Sequence, residues 1–296
     1  MIKLYARDEG GALHYHEAWL DNDEIVEHWG LVGQRGETLY HDISAGGDRR
    51  ASLDAILADA RSSGFCEVDR GEHDYVDVVY ERELFAPSAY LDVCDRTRSL
   101  LNEELGWTGV GHCEGSRIDS TTISVRSAVV DVEIAERVLR ALPETGPSEF
   151  TIAVNPPLWR TPPELIRIGY ENYSSRTNAL GRHADGQFLA LITSTASKLV
   201  PGAVTVALLL FDDFGNLVGV DIRGDVPWSD AEALREQLIQ GLADVAFGDI
   251  AIKTFSLEDK GVTWCLVDET EHGQARVSLS PLDIVFSPPW DGTYDT

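Results

Sequence analysis

Small antiparallel sheets, each packed with one or two helices, are what this sequence predicts: an α+β protein built from several modest units. Short apolar-alternating runs bounded by turn residues recur through most of the 296 residues, the pattern of half-buried strands. Apolar residues at helical spacing appear in four stretches only. Strands and helices come in groups rather than in strict alternation, which favours α+β over a parallel α/β sheet.

Residues 1–70 read as four strands and one helix. Ile2 to Arg7, Leu13 to Leu20, Ile25 to Leu31 and Thr38 to Ile43 alternate or run apolar, with Gly10-Gly11 and Asp21-Asn22-Asp23 as turns between them. Leu53, Ile56, Leu57 and Ala60 then share a helical face, and Gly64 supplies a stop. Within this stretch His28-Trp29-Gly30-Leu31-Val32-Gly33-Gln34-Arg35-Gly36-Glu37, followed by a strand, a helix and Gly64-Phe65, resembles the WGR domain. That small sheet-plus-helix module accompanies some poly(ADP-ribose) polymerases and many bacterial proteins. Trp29, Gly30, Gly33 and Gly36 stand where the motif has them, and the motif's arginine is Leu31 here. The resemblance implies the fold, and it makes Trp29 and Arg35 candidate contacts to nucleic acid. Glycines at 33 and 36 fit a tight hairpin with positive φ. Core packing is the competing role for Trp29.

Residues 76–154 follow an αββαβ pattern after an opening strand at Tyr75 to Tyr80. Ser88 is placed to cap a helix whose face holds Leu91, Cys94, Leu101 and Leu105. Val110 to Ile118 and Thr121 to Val130 make two strands, Asp131 caps a second helix, and Glu149 to Val154 makes a last strand. Two helices on one face of an antiparallel sheet is a ferredoxin-like layout. The proline pairs 156–157 and 162–163 mark a boundary.

Residues 160–296 form the third expected domain. Leu165 to Tyr173, Gln187 to Thr193, Val204 to Phe211 and Leu217 to Ile222 read as strands, with Asp212-Asp213-Phe214-Gly215-Asn216 as a hairpin loop. Ser229 and Glu232 have capping-box spacing before a helix bearing Leu234, Leu238, Ile239 and Leu242. Ile250 to Leu257, Thr263 to Val267, Arg276 to Leu279 and Ile284 to Phe286 close the domain. Gly181 to Phe188, Phe211-Asp212 with Gly215-Asn216, Phe247 to Ile250 and the ending Pro288-Pro289-Trp290-Asp291-Gly292-Thr293-Tyr294-Asp295-Thr296 resemble an uncharacterised actinobacterial family. Some of its members are labelled formate hydrogenlyase regulatory protein. The resemblance implies a shared fold, and relatives of such domains also occur as immunity proteins beside bacterial toxins.

Charge narrows the function classes. Acids number 50 against 24 bases, a formal net charge of −26. The excess is spread, with 14 acids to 7 bases in residues 1–70, 16 to 7 in 71–150 and 20 to 10 in 151–296. Nucleic-acid affinity rests on phosphate contacts, so an acidic exterior opposes it everywhere except at the WGR-like hairpin. A basic protein is the partner such a surface suits. No apolar run approaches the roughly 20 residues of a membrane helix, and MIKLYARDEGG has no apolar leader region. The expectation is a cytoplasmic protein without membrane contact. Cys66, Cys94, Cys113 and Cys265 are too scattered for a disulfide framework or zinc knuckle.

Candidate reactive groups are sparse. His14 and His16 share a strand face, as paired metal ligands do, but no further ligand lies nearby in sequence. His112 and Cys113 are adjacent on a strand and so face opposite ways. His183 and Asp185 are a possible base and orienter of a hydrolase, with turn formation at Asp185-Gly186 as the alternative. Asp212, Asp213 and Asn216 lack the twelve-residue loop of an EF-hand. Gly109-Val110-Gly111 is no dinucleotide fingerprint. No cofactor, metal or catalytic residue is expected. The binding candidates are Trp29 and Arg35 in the hairpin, and Trp290, Asp291, Tyr294 and Asp295 at the end, where aromatics among acids suit a basic partner. A tail strapped across the core through Trp290 and Tyr294 is the alternative. The leading expectation is a non-catalytic, immunity-like binding protein.

Overall fold

The computed structural model describes residues 1–43, 48–142, 149–156, 158–170, 179–194, 202–259, 262–271 and 274–293. It is α+β, with several small antiparallel sheets and packed helices. The chain divides into two compact units. Unit 1 comprises Met1–Val79, Asp95–Glu114 and Val125–Pro156, and unit 2 comprises Tyr80–Cys94, Gly115–Ser124 and Pro157–Thr296. This differs from three consecutive domains, although the proline-rich boundary near residue 156 is shared.

In unit 1, β1 (Ile2–Arg7), β2 (Leu13–Asp21), β3 (Glu24–Leu31) and β4 (Glu37–Asp42) form a meander in sequence order. Its register sets Lys3 opposite Glu17, Tyr5 opposite Tyr15, and Glu17 opposite His28. Opposed residues share a face and the side-chain period is two, so these five side chains lie together. On the other face Ile2, Leu4, Ala18 and Ile25 pack with Leu53, Leu57 and Ala60. The predicted single helix is two short ones, α1 (Arg49–Ile56) and α2 (Ala58–Ser62), with Leu57 between them.

The polar-bearing face is closed by the end of the next helix, which is why residues 1–70 do not stand alone. Tyr5 Oη donates to Gly109 O at 3.0 Å, Tyr15 Oη to Trp107 O at 3.2 Å, and the Gly33 N–H to Thr108 O at 2.8 Å. The helix is α3 (Tyr90–Trp107), part of the order β5 (Asp74–Glu81), α3, β6 (Gly111–Ile118), β7 (Thr122–Val129), α4 (Val132–Arg140), β8 (Thr151–Val154). The strands lie as β6-β7-β5-β8, with first and third strands inside, which is the ferredoxin-like arrangement expected of this stretch. Asp131 caps α4 by accepting from the Ile134 N–H. Asp77 on β5 holds Arg126 on β7 in a buried two-pronged pair at 2.8 and 2.9 Å.

In unit 2, β10 (Leu180–His183), β11 (Gly186–Ser194), β12 (Ala203–Phe211), β13 (Leu217–Pro227) and β14 (Ala246–Phe247) form a sheet ordered β13-β12-β11-β10-β14. The helix α5 (Trp228–Gln240) packs on one face against Phe188, Ala190 and Leu208. On the other face lies an extensive core, where Leu189, Leu209 and Phe211 meet β9 (Ile166–Ile168) and β15 (Ile250–Ile252), which pair with each other. The same core takes side chains from the sheet β16 (Phe255–Asp259), β17 (Val262–Asp268), β18 (Val277–Ser280) and β19 (Ile284–Phe286), with Trp264 and Trp290 inside it. Residues 171–173 of the strand expected from Leu165 lie outside the described residues. The capping box does not form. The helix starts two residues earlier, at Trp228 after Pro227, without a side-chain cap. Ser229 Oγ donates to Asp230 and Glu232 pairs with Arg235.

Candidate functional site

The register of β1, β2 and β3 assembles a buried polar chain in unit 1. Glu17 Oε1 lies 2.8 Å from His28 Nδ1, and His28 Nε2 lies 3.0 Å from Tyr15 Oη. Lys3 Nζ stands 2.9 Å from Glu17 Oε2, but off the line of a hydrogen bond, so that oxygen has a counter-ion without a hydrogen-bond donor. A carboxylate only accepts, so Nδ1 of His28 carries a proton, and the one Tyr15 hydroxyl proton has two acceptors within reach, Trp107 O and Nε2 of His28. Burial, with the Glu17 charge second, pushes the Tyr15 phenol well above its usual range against the pull of the Gly36 N–H. Tyr5 is raised in the same way, first by burial and then by Glu17. Both phenols therefore act as hydrogen-bond donors.

Glycines clasp Tyr15. A Cβ on Gly109 would lie 2.1 Å from Tyr15 Cδ1, and Gly109 has φ +69°. A Cβ on Gly36 would lie 2.1 Å from Trp29 O and 2.3 Å from Tyr15 Oη. Gly33 has the positive φ expected of a hairpin, +89°. Gly36 does not, and close approach is what requires glycine there.

Above the chain is a cleft of about 500 Å³ lined by Lys3, Glu17, Trp19, Leu20, Asn102 and Trp107, with Met1, Gly106, Gly111 and His112 at its margins. Trp19 and Trp107 meet edge to face at 6.0 Å between ring centroids, and Trp107 lies 5.0 Å from the His28 ring. His28 and Tyr15 are each 1 % exposed, so they shape the cleft floor from beneath without reaching a substrate.

The residues singled out in the sequence fall elsewhere. Trp29 is half-buried on the other sheet face, stacked with His16 at 5.8 Å. Arg35 is exposed and paired with Glu104 at 3.0 Å and Glu103 at 3.7 Å. Trp290, offered as part of an exposed recognition segment, is 4 % exposed in the unit 2 core at φ +67°. Core burial leaves its ring little exposed surface. Asp291 Oδ1 accepts from the Thr293 N–H and hydroxyl, a local turn. Tyr294 and Asp295 lie outside the described residues.

His14 and His16 do not converge. His14 pairs with Asp8 at 3.0 Å, whereas Glu27 bridges His16 and His41, each at 2.7 Å. Among the described residues no group of three or more His, Cys, Asp or Glu side chains is arranged to hold a metal ion. At His183, Nδ1 receives the Asp185 backbone N–H at 3.4 Å, and Nε2 is buried without a hydrogen-bond partner among the described residues. The Asp185 carboxylate is thus not the group bonded to the ring. Asp212 accepts from the Phe214 and Asn216 N–H groups and the Asn216 amide, which is turn chemistry. Comparison with protein-family models, with curated proteins and with solved structures found no match to the chain.

Proposed function

We propose that this is a non-catalytic binding protein whose partner is a basic protein, in the manner of an immunity protein. The observation that carries the reading is the surplus of carboxylates after the cations are matched. Several arginines are covered by the chain's own acids: the exposed Arg35 by Glu104, Arg140 by Glu136, Arg223 by Asp221 and Arg276 by Glu269, and the half-buried Arg182 by Asp213. With 50 acids to 24 bases, the remainder is negative, and a cationic partner gains encounter rate and register from it.

The contact surface that suits such a partner is the exposed side of β13 in unit 2. It exposes Val218 (63 %) and Val220, and Trp228 after it is 67 % exposed. Asp221 and Asp225 lie on the strand and Asp230 just beyond it. A basic segment laid against these residues would use the valines and tryptophan as apolar anchors and the aspartates for charge complementarity. The nucleic-acid alternative loses ground because Arg35 is already neutralised, and the hydrolase alternative because Asp185 does not orient His183.

The test is to identify what the immobilised protein retains from its host at low ionic strength and to reconstitute that complex by gel filtration. A basic protein that binds one to one, weakens with salt and is released by Val220→Lys or Trp228→Ala is the expected result. Retention of no protein, or a partner indifferent to both substitutions, would remove the proposal.

A further inference from the structure

We propose that the cleft of unit 1 is a binding site for a small, flat aromatic molecule carrying a carbonyl or carboxylate oxygen, a role independent of the protein partner inferred above. Its volume of about 500 Å³ lies inside the range that ligand pockets of roughly 300–1,000 Å³ occupy. Two of its walls are indoles, Trp19 and Trp107, already set at a 78° interplanar angle. A flat ring can stack on one indole while its edge meets the other, the two arrangements aromatic pairs prefer. Trp107 is exposed enough (37 %) to receive it.

The polar lining consists of donors. An ammonium has three N–H groups. On Lys3 the one hydrogen bond is to the Gly106 carbonyl at a long 3.5 Å, and Glu17 is its counter-ion without taking a hydrogen bond from it. N–H donors are therefore left for a ligand oxygen at the cleft. Asn102 spends its carbonyl oxygen on the Cys113 N–H at 2.8 Å, and its amide nitrogen has no hydrogen-bond acceptor among the described residues. Two donors beside two indoles select an acceptor oxygen on an aromatic ring. A cationic ligand is disfavoured because the Lys3 ammonium already fills that role beside Glu17.

The net charge of −26 does not forbid an anionic oxygen. Charges farther than a Debye length, about 8 Å at physiological salt, are largely screened, and the local donors then decide. The buried chain beneath gives the site rigidity, since Glu17 holds Lys3 and His28, and His28 lies 5.0 Å from the Trp107 ring centroid.

The experiment titrates indole-2-carboxylate into the full-length protein by calorimetry and by ligand-observed NMR. Indole and cyclohexanecarboxylate serve as probes of the ring and the oxygen taken separately. Saturable binding of indole-2-carboxylate, at least about tenfold tighter than either fragment, is expected. Trp107→Ala should abolish it. Because that variant can disturb the packing on His28, a second variant, Asn102→Asp, replaces the amide donor by a carboxylate oxygen while keeping an acceptor for the Cys113 N–H. It should weaken indole-2-carboxylate about tenfold and weaken indole, which carries no oxygen, far less. Absence of saturable binding, equal binding of cyclohexanecarboxylate, or indole-2-carboxylate affinity unaltered in Asn102→Asp would each overturn the proposal.

Discussion

Where unit 2 fills an extensive core with Phe211, Trp264, Phe286 and Trp290, unit 1 sets Lys3, Glu17, His28 and Tyr15 in contact under one sheet face. The energetics of the two choices differ. Burying an aromatic or aliphatic side chain stabilises by about 1.5–3 kcal/mol, whereas a buried ion pair roughly cancels its own desolvation and is often outdone by apolar residues. A polar chain sealed beneath a cleft is therefore poorly explained by stability. It is better explained by the arrangement it imposes on Trp107 and Lys3 at the cleft.

The largest expected effect lies on the apolar side of this contrast. Trp264 is completely buried, and Trp264→Ala should cost about 3–5 kcal/mol, read as a lower urea midpoint with unchanged slope. Trp290→Ala should fall in the same range if the terminal segment straps the core. A loss below about 1 kcal/mol would mark a surface residue instead.

Next come the glycines that admit Tyr15. Gly109→Ala must push a Cβ into the Tyr15 ring at a positive φ, an overpacking cost of about 1–3 kcal/mol with strain of order 1 kcal/mol added. A second change, Tyr15→Leu, should relieve the ring clash, so the double variant should be more stable than the sum of the two singles. Strict additivity would show that Gly109 and Tyr15 are not coupled.

That glycine clasp also marks what the sequence could disclose. Strand ends were readable where alternation is clean, as in β1 and β19, and Asp131 was readable as a cap because its geometry is local. Ser229 and Glu232 misled because neighbouring charges, Asp230 and Arg235, compete for both side chains. The short β10 and β14 were missed because their pairing joins Gly181 to Phe247 across a long stretch of chain. Gln187 likewise makes both hydrogen bonds to the Ala251 backbone, a strand-like link that no spacing reveals. The cleft chain was not read from the sequence because only the register of β2 against β3 sets Glu17 opposite His28. The available signal was the period-two row Tyr15, Glu17, Trp19, an acid set between two aromatics on one face. Trp29 and Arg35, which drew attention through the motif, lie away from the cleft because their own neighbours, His16 and Glu104, already engage them.

A smaller effect should appear in alkali, through two phenols of unit 1. Burial raises the phenols of Tyr5 and Tyr15 above their usual value of 10.0. A raised folded value means that the unfolded chain loses its phenolic protons first as pH rises. The stability these groups contribute is complete below about pH 10 and declines above it. Wild type should lose stability progressively above about pH 10, and Tyr5→Phe should show a shallower decline there. Identical slopes would mean that the Tyr5 phenol ionises freely in the folded protein.

The smallest effect belongs to unit 2, where Glu164 accepts from Arg82 at 2.7 Å and faces Lys253 at 3.0 Å. Burial works to raise this carboxyl, and Lys253 and Arg82 together outweigh it and hold it below the ordinary glutamate range. With the folded value depressed, the sign reverses from the tyrosines. The contribution is present above the unfolded value and is lost as acid protonates the unfolded chain first. The carboxylate is partly exposed, so solvent screening confines the contribution to about 1 kcal/mol or less. Glu164→Gln should therefore trail wild type slightly at neutral pH and converge on it between about pH 5 and 3. A gap that persists through that range would mean that Glu164 acts through packing, and the contrast with the buried charge of unit 1 would then rest on shape in both units.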